Sequence, residues 1–175
     1  MKTFKLMEVK VKKDLSPTDR ARMFLVIFMV GLTLSGLSAI PLQWEIKILY
    51  PLMGSGSWLS EYVPAFSAWI DQIYRGIQNG YGQYPFLAYG TDWLAFGHVA
   101  IATAFIGPLR NPVKNIWVLE FGMIACLLTI PWALIFGPIR EIPLFWQLID
   151  MSFGVFGFIP LWFARRDILK ISGEL

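Results

Sequence analysis

Three ionisable residues lie within long apolar runs of this sequence: His98, Glu120 and Asp150. An ionisable side chain near the centre of a membrane span costs about 2.5–3.5 kcal/mol on insertion scales, so each one needs a partner or a function. Helical rise, counted inward from Asp92 and Pro143, puts His98 and Asp150 at a common depth of about 9–10 Å. The sequence therefore predicts that His98 and Asp150 face each other inside a helical bundle.

The predicted pair of His98 and Asp150 has two interpretations. In the structural one, the imidazole donates a hydrogen bond to the carboxylate and clips two helices together. In the chemical one, the two side chains form a catalytic acid/base pair in a pocket open to the outer leaflet. Other polar residues of suitable depth are expected to line the same pocket: Gln147, Thr129, Ser35 and Asp92.

The remaining candidates for chemistry favour structural roles. Glu120 lies about one turn into its apolar run near Lys114, so we expect it at the inner rim, paired with Lys or Arg. Cys126 is the only cysteine and His98 the only histidine. Neither a zinc site nor a bis-histidine haem can be built from so few ligands, so no metal or cofactor is expected. The GSGS stretch at 54–57 lacks the lysine of a phosphate loop and is interpreted as a flexible turn.

Composition indicates that these residues sit in a membrane protein. Hydrophobic residues make up 56% of the chain and charged residues 15%, whereas soluble domains carry about 25% charged residues. Four apolar runs are long enough to span a bilayer, at about 23–40, 93–109, 116–136 and 143–163. We therefore predict a single all-α domain over 1–175, an integral membrane four-helix bundle. Asp92 is expected to cap the second span, and Pro131 to kink the third.

The segment 42–91 is predicted to lie outside the hydrocarbon. It is rich in Gly, Pro, Ser, Trp and Tyr, and it carries several charged residues. Within it, apolar residues recur at helical spacing over 64–78, with Pro64 in the first turn, where proline is tolerated. This pattern indicates an amphipathic helix at the membrane surface. The tyrosines that follow suit the aromatic belt of an interface: Tyr81, Tyr84 and Tyr89.

The basic residues predict the orientation. One side of the four spans carries most of the lysine and arginine, at Lys10, Lys12, Lys13, Arg20, Arg22, Arg110, Lys114, Arg165, Arg166 and Lys170. The other side has only Lys47, Arg75 and Arg140. Positive residues stay in the cytoplasm, so both termini are expected there. The same clustering at span ends accounts for the net charge of +3 without a nucleic-acid partner.

The second half of the chain resembles a family of bacterial four-helix inner-membrane proteins of unknown function. The resemblance lies in YGTDWLAFGHVAIATAFIGPLRNPVKN and FGMIACLLTIPWALIFGPIREIPLFWQLIDMSFGVFGFIPL. The resemblance implies a four-helix architecture in the bacterial inner membrane. It does not indicate which activity the protein has. The layout is also similar to the EXPERA group of sterol isomerase and sigma-2 receptor proteins, although the acidic residues of that group's first two helices have no counterpart here.

Three functions remain open, because no motif specifies a reaction. The leading hypothesis is a small polar pocket in the outer leaflet, centred on His98 and Asp150, that takes a lipophilic ligand or substrate. The second is a non-catalytic accessory or scaffold subunit, whose partner would contact Gly154, Gly157 and the aromatic loop. The third is a small transporter that acts as a homo-oligomer. In each case the small-residue stripe of Gly31, Ser35 and Ala39 is expected to face another helix.

Overall fold

The computed structural model describes residues 15–173; residues 1–14, with three lysines of the predicted basic tail, and 174–175 lie outside the described residues. The described chain is helical and contains no strand, which confirms the all-α prediction. The helices are α1 (Pro17–Ser38), α2 (Leu42–Met53), α3 (Pro64–Gln83), α4 (Ala88–Ala104), α5 (Ile106–Arg110), α6 (Ile116–Ile139) and α7 (Leu144–Ser172). Short 3₁₀ turns at Trp58–Glu61 and Pro85–Leu87 precede α3 and α4.

Four helical segments are long and apolar enough to cross a membrane: Pro17–Ser38, Pro85–Arg110, Ile116–Ile139 and Leu144–Ser172. They correspond to the four predicted spans, and the chain is a multi-pass membrane protein. The first begins earlier than predicted because Ser16 caps it, accepting a hydrogen bond from the Asp19 amide at 3.1 Å. The last continues through the basic residues that follow the predicted end at 163.

The segment between the first two spans folds into two packed helices. α3 confirms the helix predicted over 64–78 and extends it to Gln83. α2 was not predicted; it packs on α3 through stacked rings of Tyr50 and Tyr74, 4.1 Å apart. The Ser55 amide donates a hydrogen bond of 2.8 Å to Asp71. Hydrogen bonds from the Ser55 side chain and backbone hold the pKa of Asp71 below its ordinary value.

The spans pack as an antiparallel series in which α1 lies between α4 and α7, and α7 also packs on α6. The start of α1 meets the end of α7 through Arg20 and Asp167, whereas Gly36 near the end of α1 meets His98 of α4. We call the end of the bundle where α1 begins and α7 ends the termini end. The opposite end, with the α6–α7 turn at residues 140–143, is the loop end.

The hydrophobic core lies towards the termini end. Phe105, at the end of α4, is fully buried and packs against Phe28 of α1 with ring centroids 4.7 Å apart. A methyl group at Gly122 of α6 would come within 2.6 Å of Phe105 and 2.8 Å of Leu161, so four spans converge here. The core cluster includes Ala21, Leu25, Phe28, Phe105, Leu119, Leu161, Ala164 and Ile168. Towards the loop end, α6 and α7 present an open face.

The predicted packing stripe on α1 is wrong by one position. Gly31 and Ser35 are exposed, and no atom lies within 4 Å of a methyl group placed on Gly31. The close approach occurs instead at the buried Gly36, where an added methyl would overlap the side chain of His98. Small-residue spacing therefore indicated a close contact but not the helix face that makes it.

Candidate functional site

A groove of about 550 Å³ runs along the open face of α6 and α7 near the loop end. The two helices form an antiparallel hairpin with close contacts at Gly137 against Gln147 and at Gly154 against Thr129. The walls are mainly apolar: Ala125, Leu128, Trp132, Ala133 and Phe136. The polar lining is limited to Thr129, Arg140, Gln147 and Asp150.

Asp150 is the unusual residue of this groove. It lies within the span Leu144–Ser172, and its side chain is exposed on the surface of the bundle. Over residues 15–173 the carboxylate makes no hydrogen bond or ion pair. A carboxylate in that position carries an energetic penalty unless something outside this part of the chain supplies donors or a positive charge.

Two polar side chains near Asp150 are held in fixed positions. Gln147 is 5% exposed, packs against Gly137, and donates a hydrogen bond of 2.7 Å from Nε2 to the Ile142 carbonyl. Thr129 packs against Gly154 and donates a hydrogen bond of 2.7 Å to the Cys126 carbonyl. Side chains locked by packing and hydrogen bonds make a pre-organised polar lining.

Arg140 closes the groove at the loop end. It follows the last residue of α6 and lies next to the orphan carbonyls there, where a positive charge is favourable. Its guanidinium makes no ion pair within the described range. The groove thus carries one positive and one negative side chain, and the structure joins neither to the other nor to a third residue.

The structure assembles only some of the predicted site residues. Asp150, Gln147 and Thr129 line one groove, as expected from their depth. His98 does not join them: its Nδ1 donates a hydrogen bond of 2.8 Å to the Leu94 carbonyl, and its side chain packs against Gly36. No direct hydrogen bond between His98 and Asp150 exists in the described chain. Counting residues along each helix gave the depth of these residues in the bundle. It did not give the rotation of each helix about its axis, which decides the neighbour that a side chain faces.

Ser35 and Asp92 also lie outside the groove. Ser35 is on the exposed face of α1. Asp92 was predicted to cap a helix, but the turn at Pro85–Leu87 leads directly into α4 at Ala88, so Asp92 lies inside the helix. It borders a separate depression of about 240 Å³, lined by Tyr89, Trp93 and Phe96.

The ion pairs of the bundle lie towards the termini end. Glu120 accepts hydrogen bonds of 2.8 and 3.0 Å from Arg165, which confirms its predicted pairing with a basic residue. The fully buried Asp167 accepts a bidentate pair of hydrogen bonds from Arg20, at 2.6 and 3.0 Å. This second pair was missed because Asp167 was placed in a tail. The sequence did carry a signal for this pair, since Asp167 follows the apolar Ala164 by three residues and therefore shares its helix face.

The glycines of α7 serve the fold of this chain. Gly154 packs against Thr129 and the Cys126 carbonyl, and Gly157 lies near Cys126 and Phe28. Gly154 is therefore occupied by packing within this chain, whereas a partner contact at Gly157, which is partly buried, stays a prediction. Cys126 is partly buried between α6 and α7, as expected for a packing residue.

The described chain brings no three His, Cys, Asp or Glu side chains together in a way that could hold a metal ion. No protein family, curated protein or solved structure matches the sequence or the fold. The fold and the groove define a class: a multi-pass helical membrane protein with a groove between two spans, whose carboxylate has no partner among residues 15–173.

Proposed function

We propose that this chain is a bacterial inner-membrane protein that binds a lipophilic ligand in the α6–α7 groove, from the outer leaflet. The observation that carries the proposal is Asp150, a carboxylate inside a span with no partner among residues 15–173. Because an unpaired carboxylate is costly in lipid, a ligand that brings a hydroxyl or ammonium donor to Asp150 gains affinity by removing that cost.

The dimensions of the groove support a small-molecule ligand. Ligand sites usually enclose about 300–1,000 Å³, with apolar walls and a few fixed polar groups, and this groove has each of these properties. It opens sideways between two spans, so a hydrophobic molecule can reach it from the bilayer. The apolar walls hold the body of the ligand, while Asp150, Gln147 and Thr129 orient its polar group.

The proposed orientation rests on the distribution of basic residues. Arg165, Arg166 and Lys170 lie at the termini end of α7, and Arg110 and Lys114 flank the α5–α6 connection at the same end. The loop end carries fewer basic residues. Under the positive-inside rule the termini end is cytoplasmic, which puts the groove and Arg140 in the outer half of the membrane.

Native mass spectrometry of the protein, extracted gently from its own membranes, tests this proposal. We expect a bound species of a few hundred daltons, and we expect Asp150→Asn to weaken its binding tenfold or more. A charge-assisted hydrogen bond is worth about 1.5–3 kcal/mol, which is about a 10- to 150-fold change in dissociation constant. Glu120→Gln is the matched control: it also removes a carboxylate from a span, but that carboxylate is already paired with Arg165. Its ligand occupancy should equal that of the wild type.

Two results would contradict a ligand-binding role. One is an extract in which the protein carries no small molecule, or only bulk lipid whose amount does not change in Asp150→Asn. The other is a stoichiometric protein partner that Asp150→Asn releases. That second result would favour the accessory-subunit hypothesis, with a partner helix supplying the donor to Asp150.

A further inference from the structure

Another carboxylate of a span without a partner among residues 15–173 lies on a different surface, beside three aromatic rings of α4. Asp92 is exposed and makes no hydrogen bond or ion pair with any residue of the described range. It borders the depression lined by Tyr89, Trp93 and Phe96. This surface, which we call the α4 aromatic patch, consists of these four residues and shares none with the α6–α7 groove.

Helical geometry places the whole patch on one face. The pairs 89/93 and 92/96 are four residues apart and the pairs 89/92 and 93/96 are three apart, so these four side chains share one face of α4. The opposite face packs on α1, with Ala95 and Ala102 buried and His98 against Gly36. The patch therefore points away from the bundle, on a helix that is part of the span Pro85–Arg110. An outward face of a membrane-spanning helix is in contact with lipid.

The rings form a connected aromatic surface around the carboxylate. Tyr89 and Trp93 pack edge to face with centroids 5.9 Å apart, and Trp93 and Phe96 do so at 5.4 Å. All three rings are more than half exposed. Asp92 is the fifth residue of α4, about 6 Å along the helix axis from Ala88, so it lies nearer to the loop end of this helix than to its middle.

We propose that the α4 aromatic patch binds the ammonium head group of a membrane lipid, with ethanolamine lipids as its natural class. The faces of aromatic rings attract cations, and a nearby carboxylate adds a direct charge partner. The same carboxylate repels the phosphate of an anionic lipid that has no ammonium group. The lipid supplies the acyl chains that cover the exposed rings, which a free amine in water does not.

A zero-length chemical cross-link locates the contact. Carbodiimide activates a carboxylate, which then forms an amide with a primary amine. In bilayers of phosphatidylethanolamine, peptide mapping should find the lipid amide at Asp92, and bilayers of phosphatidylcholine, which lacks a primary amine, should give none. Glu141, an exposed carboxylate at the loop end without these rings, is the internal control. Equal modification of Asp92 and Glu141 overturns the proposal.

Lipid competition then measures selectivity. With equal amounts of phosphatidylethanolamine and phosphatidylglycerol of identical chains, native mass spectrometry should show the wild type enriched in the ethanolamine lipid. Asp92→Asn should abolish the enrichment, and Glu141→Gln should retain it. Trp93→Leu should lower it about two- to fivefold, the value of one exposed cation–π contact. Trp117→Leu, at an exposed tryptophan of α6 outside both sites, should not change it.

Three outcomes overturn the inference: no enrichment in the wild type, an unchanged enrichment in Asp92→Asn, or displacement of the lipid by free ethanolamine at equal concentration. The last would mean that the ammonium group alone is recognised and that the lipid chains contribute nothing. None of these measurements involves Asp150, so they are independent of the ligand proposed for the α6–α7 groove.

Discussion

At the scale of single residues, four of the acidic side chains in the described spans, Asp92, Glu120, Asp150 and Asp167, differ in their partners. Asp167 is fully buried and held by Arg20, and Glu120 is paired with Arg165 at a position about one-third exposed. Asp92 and Asp150 have no partner within residues 15–173. The paired carboxylates lie at the termini end and join helices, whereas Asp92 and Asp150 face outward, where a ligand, a lipid or another protein can reach them.

The two paired carboxylates predict a contrast in stability. Asp167→Asn should lower the free energy of unfolding by about 3 kcal/mol, because it leaves the Arg20 guanidinium against a buried neutral group. Glu120→Gln should lower it by less than about 1 kcal/mol, since water reaches that pair. Unfolding in mixed micelles, followed by circular dichroism, measures both. An equal decrease in the free energy of unfolding for the two variants would show that the burial of Asp167 does not strengthen its contribution to stability.

Sequence reasoning gave related depths along the bundle for the site residues. It did not give the helix face on which each residue lies. A constant rise per residue is enough to put Asp150, Gln147 and Thr129 at related depths, and these three do share the groove. Rotation about each helix axis depends on which face packs against which neighbour. Gly36 turns His98 towards α1, and no residue of α4 lines the groove. The predicted partner of Asp150 was therefore on the wrong face.

At the scale of elements, the helices outside the spans show what periodicity can and cannot predict. α3 has a clear apolar stripe, and its helix was predicted from 64 onward. α2 is a short helix that contains Pro51, and so short a helix is marginal alone. Its stability comes from α3, through Tyr50, Tyr74 and the hydrogen bond between Ser55 and Asp71. A contact between distant segments is not visible in local sequence.

The packing of α1 on α4 gives a matched pair of glycine variants. Gly36→Ala should lower the free energy of unfolding by about 1–3 kcal/mol, because the new methyl overlaps His98 and must push the helices apart. Gly31→Ala meets nothing within 4 Å and should be neutral or slightly stabilising. Thermal unfolding in detergent compares them. A lower free energy of unfolding for Gly31→Ala, with no change for Gly36→Ala, would show that α1 packs on α4 through the opposite face.

At the scale of the whole molecule, the groove exists because the hydrophobic core lies towards the termini end and leaves α6 and α7 open near the loop end. Four spans converge around Phe105, whereas near the loop end α6 has α7 as its main neighbour. Composition and the lengths of the apolar runs were enough to predict a four-span bundle, because lipid demands long apolar helices. The groove could not be predicted that way, since it depends on how the helices diverge along their length.

The topology can be tested with single cysteines in a Cys126→Ala background. Glu61→Cys, in the 3₁₀ turn before α3, and Lys170→Cys, near the end of α7, are both exposed positions. A maleimide that cannot cross membranes should label position 61 in intact spheroplasts and position 170 only after lysis. Tags at Met1 and Leu175 should behave like position 170. Labelling of position 170 in intact spheroplasts would invert the proposed orientation.

The position of Arg20 and Asp167 has a consequence for how the protein is made. They are separated by 147 residues, yet they join the first span to the last. During synthesis α1 enters the membrane long before its main neighbour α7 exists, while α6 and α7 emerge one after the other and can pair as a hairpin. Every chain therefore passes through a stage in which α1 is already in the membrane and α7 has not yet been synthesised. A chain that stops before α7 lacks the helix with which α1 makes more contacts than with any other.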